Sequence, residues 1–534
     1  MYGKCKFSSL GLMLDCSRNA VMTVTELKKF IKLLSELGYN RFMLYTEDTY
    51  EVDGEEFFGY FRGRYIQDEL KELDNFAYEN GVEMIPCIQT LAHFTALIRW
   101  PKYAAIKDMD DILLVGDERT YQLIDRMISS LRKCFRTDKI HIGMDEAHNL
   151  GKGKYRDING EVDRTEILLY HLNRVCGITE KYGFKPMMWS DMFYRIASGG
   201  EYYSVSSKFD PSIKAKIPQN LSLVYWDYYH IDKSFYDGMI KGHKQLSENI
   251  VFAGGAWKWA SFVPNNSLSI VANKKAFEAC IENNVKDVFI TLWGDNGAEC
   301  SPYAVLPAIV SAACVAHGIT DENEIKDCFK KITGCDYDDF MMLDLPDKSE
   351  NIPLDYVVNP CKYQLYNDCF FGIYDSGVET GDGEYYAGLA KKLSDAALRA
   401  NQYFYIFDTI SKLCSALEIK SEIGLRTHDV YKNKDKKELD DLIADYEEMI
   451  ERTKALYYAF RKQWFTENKA NGFEVHDIRL GGLIMRMQSC RDRLADYRNG
   501  KIDLIPELEE NTLPLIKKKE IVHSWSNIVT ANIL

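Results

Sequence analysis

The sequence predicts a (β/α)8 TIM barrel followed by an α-helical C-terminal domain. Two observations carry this. Eight short apolar runs alternate with amphipathic helical patterns over the first 300 residues. After residue 330 the alternation stops, and from about 385 to 498 charged and apolar residues recur at helical spacing. No Gly-rich phosphate fingerprint follows any of the runs, which disfavours a nucleotide-binding, doubly wound sheet. The expected organisation is a catalytic barrel over 1–335, an acidic, turn-rich connector over 336–380, and a mainly helical domain over 381–534.

The first run, "GLMLDCS" (11–17), reads as a strand. The helix after it spans 22–38: Leu27, Phe30, Ile31, Leu34 and Leu37 form one stripe, Thr23 and Glu26 suit a capping box, and Gly38 ends it. "RFMLYTED" (41–48) is the second strand, and 67–81 is the second helix. The remaining strands fall at 82–90, 139–146, 185–192, 221–229, 250–259 and 288–295. Their bodies are almost continuously apolar, as expected of parallel strands covered on both faces. The apolar stretch 304–316 is too short to span a bilayer and reads as a buried helix. Within the helical region, "GFEVHDIRLGG" (472–482) reads as a Gly-punctuated helix–helix turn or as a segment reaching over a barrel mouth.

Composition bounds the function. The chain has 46% hydrophobic and 27% charged residues, an ordinary globular balance. Its net charge of −14 argues against a nucleic-acid partner, which would need a basic face. The fourteen cysteines are scattered, with no C-x-x-C pair and no zinc-site spacing, so free thiols and a cytoplasmic location are expected. No signal peptide or membrane span is read from the sequence. The helical domain is expected to pack on the barrel or to make a homodimer contact.

Acids and tryptophans gather at the C-terminal ends of the predicted strands. Asp15, Glu47, Asp48, Asp145, Glu146, Asp191, Asp227 and Asp295 lie there with Gln89, and so do Trp189, Trp226, Trp257, Trp259 and Trp293. In a barrel these ends converge on one mouth, where active sites form. Indole faces stack on the C–H faces of sugars, and carboxylates take charge-assisted hydrogen bonds from sugar hydroxyls. The pattern therefore predicts a carbohydrate ligand. Asp145 and Glu146 are chain neighbours, and on a regular strand their side chains would point to opposite faces. That is a poor geometry for a nucleophile and an acid flanking one bond. It suits a substrate that brings its own nucleophile, such as a 2-acetamido sugar attacking through its amide oxygen.

Several motifs carry a family resemblance. "HIGMDE" (141–146), "GVEMIPCIQTLAHF" (81–94), "TLWGD" (291–295) and "GLMLDCSRN" (11–19) occur in this order at predicted strand ends. Together they resemble glycoside hydrolase family 20, the β-N-acetylhexosaminidases. The resemblance implies a metal-free, cofactor-free, retaining exo-enzyme acting on glycans with terminal β-linked GlcNAc or GalNAc. It implies Glu146 as general acid/base, Asp145 as the residue that orients the acetamido group, and His93 as their supporting hydrogen-bonder. Trp189, Trp257 and Trp293 would wall the pocket, and Asp295 would bind the O4/O6 side of the sugar. A family Tyr-x-Asp pair is offered by Tyr225 and Asp227, with Tyr228 as a rival. Leu10 stands where many family members carry an Arg that grips O3 and O4; Arg18, Arg62, Arg64, or Glu47 with Asp48 are the candidates for that task. The usual α/β domain before the barrel is not expected, which resembles a compact intracellular branch. Two other readings stay open: a metal-dependent barrel hydrolase or isomerase, and a sugar-binding barrel that has lost catalysis.

Overall fold

The computed structural model describes residues 3–348, 359–513 and 525–533. Eight parallel strands close into a barrel in sequence order. They are β1 (Ser9–Asp15), β2 (Arg41–Thr46), β3 (Glu83–Ile88), β4 (Lys139–His141), β5 (Lys185–Trp189), β6 (Ser222–Trp226), β7 (Ile250–Gly255) and β8 (Asp287–Leu292). β8 returns to β1, pairing Val288 with Leu10 and Leu292 with Leu14. Every expected strand is present. The expected C-terminal ends run past the observed ones, most of all in β4, which stops at His141 rather than Glu146. The residues beyond each ladder carry the polar groups of the mouth, and polar loops leave the sheet once their apolar body ends.

The first barrel helix spans Val24–Glu36, and Thr23 caps it by accepting from the Glu26 N–H. Leu27, Phe30, Ile31 and Leu34 are buried along its inner stripe. The apolar run 304–316 forms the helix Leu306–Ala316, and its side chains are buried almost throughout. No helix among the described residues is long and apolar enough to cross a membrane. All fourteen cysteines are free thiols.

The chain divides into two compact units. One comprises Met1–Ala256, Leu268–Trp293 and Ala308–Cys328, and holds the whole barrel. The other comprises Trp257–Ser267, Gly294–Pro307 and Phe329–Leu534. In the second unit, helices Asp382–Ala397, Phe404–Lys420, Ile423–Asn433, Lys436–Glu467 and Glu474–Arg498 bury an apolar core that includes Leu393, Phe407, Tyr446, Phe460 and Met487. The stretch expected as a connector contains short helices at Tyr337–Met341 and Pro360–Tyr366; residues 349–358 of it lie outside the described residues.

Segment 472–482 is helical from Glu474 rather than a helix–helix turn. Packing outweighs the low helix propensity of its glycines: Phe473 and His476 are buried against Phe460 and Trp464. This helix also holds a strained turn of the same unit. Asn296, Gly297 and Ala298 all have positive φ, at 63°, 125° and 57°. The Asn296 carbonyl accepts from Lys362 Nζ at 3.0 Å and from Arg479 Nη1 at 2.6 Å, and His476 Nε2 donates to the Gly297 carbonyl at 2.8 Å. The same cations reach the buried Glu299, Lys362 at 2.8 Å and Arg479 at 3.2 Å. Burial pushes the Lys362 ammonium below its ordinary range, and Glu299 opposes that shift. A buried ion pair that loses one partner is destabilised by on the order of 3–5 kcal/mol. Lys362→Met is therefore expected to lower the melting temperature by several degrees, and an unchanged melting curve would contradict the pairing.

Candidate active site

The acids after β4 owe their placement to a sharp departure from strand geometry. The Gly143 N–H donates to His141 Nδ1 at 3.1 Å, which bends the chain just past the ladder. Gly143, Met144 and Glu146 then take positive φ of 72°, 74° and 51°. Gly143 is required twice over. Its φ disfavours any side chain, and a Cβ there would lie 2.1 Å from Gln89 Oε1 and 2.8 Å from the Ile88 carbonyl. Strand alternation does not survive this bend. Asp145 and Glu146 present their carboxylates to one imidazole: His93 Nε2 lies 3.1 Å from Asp145 Oδ2 and 3.8 Å from Glu146 Oε2. The expectation that adjacent acids would face opposite ways is thus corrected, because the strand has ended before they begin.

Asp145 is buried and heavily hydrogen-bonded. Gln89 Nε2 donates to its Oδ1 at 2.7 Å, and Gln89 Oε1, the side-chain amide oxygen, accepts from the Met144 N–H at 3.1 Å. Burial alone would raise the Asp145 carboxyl; the charge and hydrogen bond of His93, with the Gln89 bond, outweigh it and hold the carboxyl down at about 2. The converse holds for His93. Burial would lower it, but the charge and hydrogen bond of Asp145 bring it up to about 9. The pair is an imidazolium and a carboxylate at neutral pH. Glu146 differs: its side chain is 41% exposed and free to meet a ligand.

His93 also ties in β2. Its Nδ1 lies 3.9 Å from Glu47 Oε1, and Arg18 Nη1 lies 3.7 Å from the same oxygen. Burial raises the Glu47 carboxyl, and Arg18 and His93 counter it. The Arg18 guanidinium stacks 4.9 Å from the rings of both Tyr45 and Trp293 and reaches Asp15 at 3.3 Å. Trp293 lies 4.7 Å from Tyr45 and 6.0 Å from Trp189, ring to ring. Trp189 packs 4.4 Å from His141, which is fully buried and whose basicity burial lowers to about 3. Of the three candidate arginines, Arg18 is the one placed among these groups. Arg62 is tied to Asp48 and the Ser17 carbonyl, and Arg64 to the carbonyls of Glu56 and Phe58.

The structure thus gathers Arg18, Glu47, His93, Asp145, Glu146, Trp189 and Trp293. Tyr225 and Asp227 are engaged elsewhere. The Tyr225 hydroxyl donates to Asp227 Oδ2 at 2.8 Å, and its ring packs on His243 and Phe252. Asp227 also accepts from His230 Nδ1 and from the Tyr229 and His230 N–H groups, closing the turn after β6. Tyr228, by contrast, hydrogen-bonds to the side chains of Trp293 and Thr291 and feels the charge of Asp145. Trp257 and Asp295 belong to the second unit. There Trp257 packs 4.0 Å from Trp259, and the Asp295 carbonyl accepts from the Ala260 N–H.

Gln89 and Asp191, expected at the barrel mouth from their strand-end positions but given no role, join the site, and so do Tyr45 and Arg195, which were not singled out from sequence. Asp191 and Arg195 carried one usable signal, an acid and a base at i,i+4 on a helix, which the structure shows as an ion pair at 3.0 Å. Among the described residues, the one group of three metal-binding residue types is His93, Asp145 and Glu146, whose reactive atoms lie within 4.8 Å of one another. Its His–Asp contact is already a charge-assisted hydrogen bond.

A buried carboxylate held in its ionised form, a half-exposed acid beside it and neighbouring indoles thus lie together beyond the C-terminal ends of the barrel strands. A family model described as "Glycosyl hydrolase family 20, catalytic domain" matches residues 7–233. A second, "Glycoside Hydrolase 20C C-terminal domain", matches residues 338–526. The chain belongs to glycoside hydrolase family 20. This family-20 chain is 22% identical over 281 residues to Hexosaminidase D of Bos taurus, covering 50% of the chain and 75% of that relative. It is 24% identical over 237 residues to Hexosaminidase D of Homo sapiens, covering 43% and 46%, so it spans less than half of the human relative. A crystal structure of the GH20 exo β-N-acetylglucosaminidase from Vibrio harveyi with N-acetylglucosamine aligns at a TM-score of 0.48 and 15% identity, covering 64% of this chain and 59% of that one.

Proposed function

We propose that this family-20 glycoside hydrolase is an exo-β-N-acetylhexosaminidase that removes terminal β-linked GlcNAc or GalNAc by substrate-assisted catalysis. The observation that carries the reading is the shared contact of Asp145 and Glu146 with His93. Two carboxylates on one side of a site do not flank a glycosidic bond as nucleophile and acid, but they do serve a substrate that supplies its own nucleophile. In the first step Glu146 gives its proton to the glycosidic oxygen as the C1–O bond breaks, and the acetamido oxygen bonds to C1. Asp145 accepts the amide N–H and stabilises the positive charge that develops on the oxazolinium. In the second step a water bonds to C1 and returns a proton to Glu146 as the C1–amide oxygen bond breaks, so the anomeric configuration is retained.

Trp189 and Trp293 would stack on the sugar and its methyl group, and Tyr228 would donate to the acetamido oxygen. Arg18 with Glu47 would take the O3/O4 hydroxyls. Trp257 and Asp295 are assigned to the pocket wall and the O4/O6 side on their motifs alone.

The test is hydrolysis of nitrophenyl β-GlcNAc and β-GalNAc, with and without EDTA, and inhibition by a thiazoline analogue of the cyclised intermediate. Turnover insensitive to EDTA is expected, with the thiazoline binding at least 10²-fold tighter than free GlcNAc, as transition-state mimics do. EDTA-sensitive turnover would favour a metal-dependent hydrolase. A thiazoline no better than GlcNAc would rule out neighbouring-group attack, and absence of turnover on any N-acetylhexosaminide would leave a sugar-binding barrel.

A further inference from the structure

Glu146 is held from behind by two residues that no step above uses. Its backbone N–H donates to Asp191 Oδ2 at 3.0 Å, which fixes a residue whose φ of 51° is disfavoured for a side chain of that size. Asp191 begins the helix Asp191–Ser198, directly after β5, and is fully buried. One turn later on that helix, Arg195 donates through Nε to the same Asp191 oxygen at 3.0 Å. Its Nη2 lies 3.6 Å from Glu146 Oε1. One guanidinium therefore spans the buried Asp191 and the reactive carboxylate, while its Nη1 donates to the Gly200 carbonyl at 3.2 Å.

The proposed reaction makes this arrangement consequential. Glu146 must be neutral when it protonates the leaving oxygen and anionic when it activates water. A fixed cation beside it would hold it anionic throughout and spoil the first step. A cation already paired to a buried carboxylate has a weaker hold, and its other face stays available when the proton leaves. We infer that Asp191 and Arg195 are positioning residues for Glu146: Asp191 locks its strained backbone, and Arg195 divides its charge between Asp191 and the Glu146 carboxylate as the proton departs and returns. This rests on the role proposed for Glu146. Burial and the neighbouring Asp145 charge push the Asp191 carboxyl up, and the Glu146 N–H and Arg195 pull against that shift.

The charged groups that face Glu146 are Arg195 and Asp191 from the helix after β5, His93 from the segment after β3, and Asp145 beside it in the chain. Glu47 and Arg18 act on it through His93. The two partners should thus move the basic limb of the kcat/KM profile in opposite directions. In Asp191→Asn, Arg195 is released to Glu146 alone, and the limb is expected to fall by about one pH unit. In Arg195→Ala the cation is gone, and the limb is expected to rise by a similar amount, with kcat reduced by about 10-fold or more. Arg195→Lys should return the limb most of the way to wild type. Melting curves identify any variant that fails to fold, and for those the Lys variant still reads the charge effect. Limbs that stay in place, or that shift the same way in both variants, would overturn the pairing while leaving Glu146 as the acid. Wild-type protein inactive on every N-acetylhexosaminide would instead remove the role of Glu146 itself.

Discussion

Replacing Glu146 with Gln is expected to reduce kcat on a glycoside with a poor leaving group by about 10²–10⁴-fold, the usual worth of a positioned general acid. The substitution keeps the size of the side chain and can keep its approach to His93 and Arg195, but it removes the proton that the leaving oxygen needs. The loss should therefore depend on the leaving group. A nitrophenolate departs with little help, so its first step should suffer far less than that of a sugar alkoxide. With Glu146→Ala, azide should enter where the carboxylate stood and attack C1 of the oxazolinium, restoring turnover on activated substrates and yielding a β-glycosyl azide. The measurement is kcat across a series of aryl and sugar leaving groups, with and without azide. A uniform loss across the series, or an azide product of α configuration, would mean that Glu146 is not the acid/base of a retaining reaction.

The barrel was legible because its strands are nearly continuous apolar runs set between amphipathic helices, a pattern that parallel sheets cannot avoid. The ends of the strands were not, and the site lies at those ends. β4 stops at His141, and what turns the next residues is a backbone bond to the His141 ring together with the one residue, Gly143, that tolerates both the φ and the closeness of Gln89. That bend decides where Asp145 and Glu146 point, and it is a tertiary fact. The surroundings of Tyr225 were hidden for a related reason. Alternation puts Tyr225 and Asp227 on one face but does not say which face, and Tyr225 packs on His243 and Tyr236, against the helix layer. Gln89 could be read as a strand-end residue; that its amide would bridge Tyr45, Asp145 and Met144 depends on three strands meeting. Arg195 lies on a helix, outside any strand-end pattern. The motif around Asp145 and Glu146 stood out because its chemistry is dense in one short stretch, whereas the residues that tune it are spread over the barrel.

Asp145→Asn is expected to lower kcat by about 10²–10³-fold, comparable to losing one preorganised electrostatic contact to a developing charge. Here the charge is positive and sits on the cyclising amide, so a neutral amide side chain offers an acceptor but no compensation. His93 sets the pH range over which Asp145 can do this. With His93 present, the Asp145 carboxyl is held down at about 2 and its partner up at about 9, so the ion pair persists between those limits. The stability each member adds follows from its direction of shift. The Asp145 share is present above its ordinary range and is lost as pH falls through about 2. The His93 share is present below its ordinary range near 6.5 and is lost as pH rises through about 9. In His93→Asn the cation is gone and burial acts on Asp145 unopposed except by Gln89, so its carboxyl must rise. The acid limb of kcat should then move upward by one or more pH units, making the variant's deficit at pH 5 several-fold larger than at pH 8. Between about pH 4 and 6.5, where both shares are fully present in the wild type, the same variant should melt at a lower temperature, and the gap should narrow as pH rises toward 9. An acid limb that stays put would show that Gln89 and the surrounding backbone hold the carboxylate ionised without His93, and that the imidazolium serves only to orient the pair.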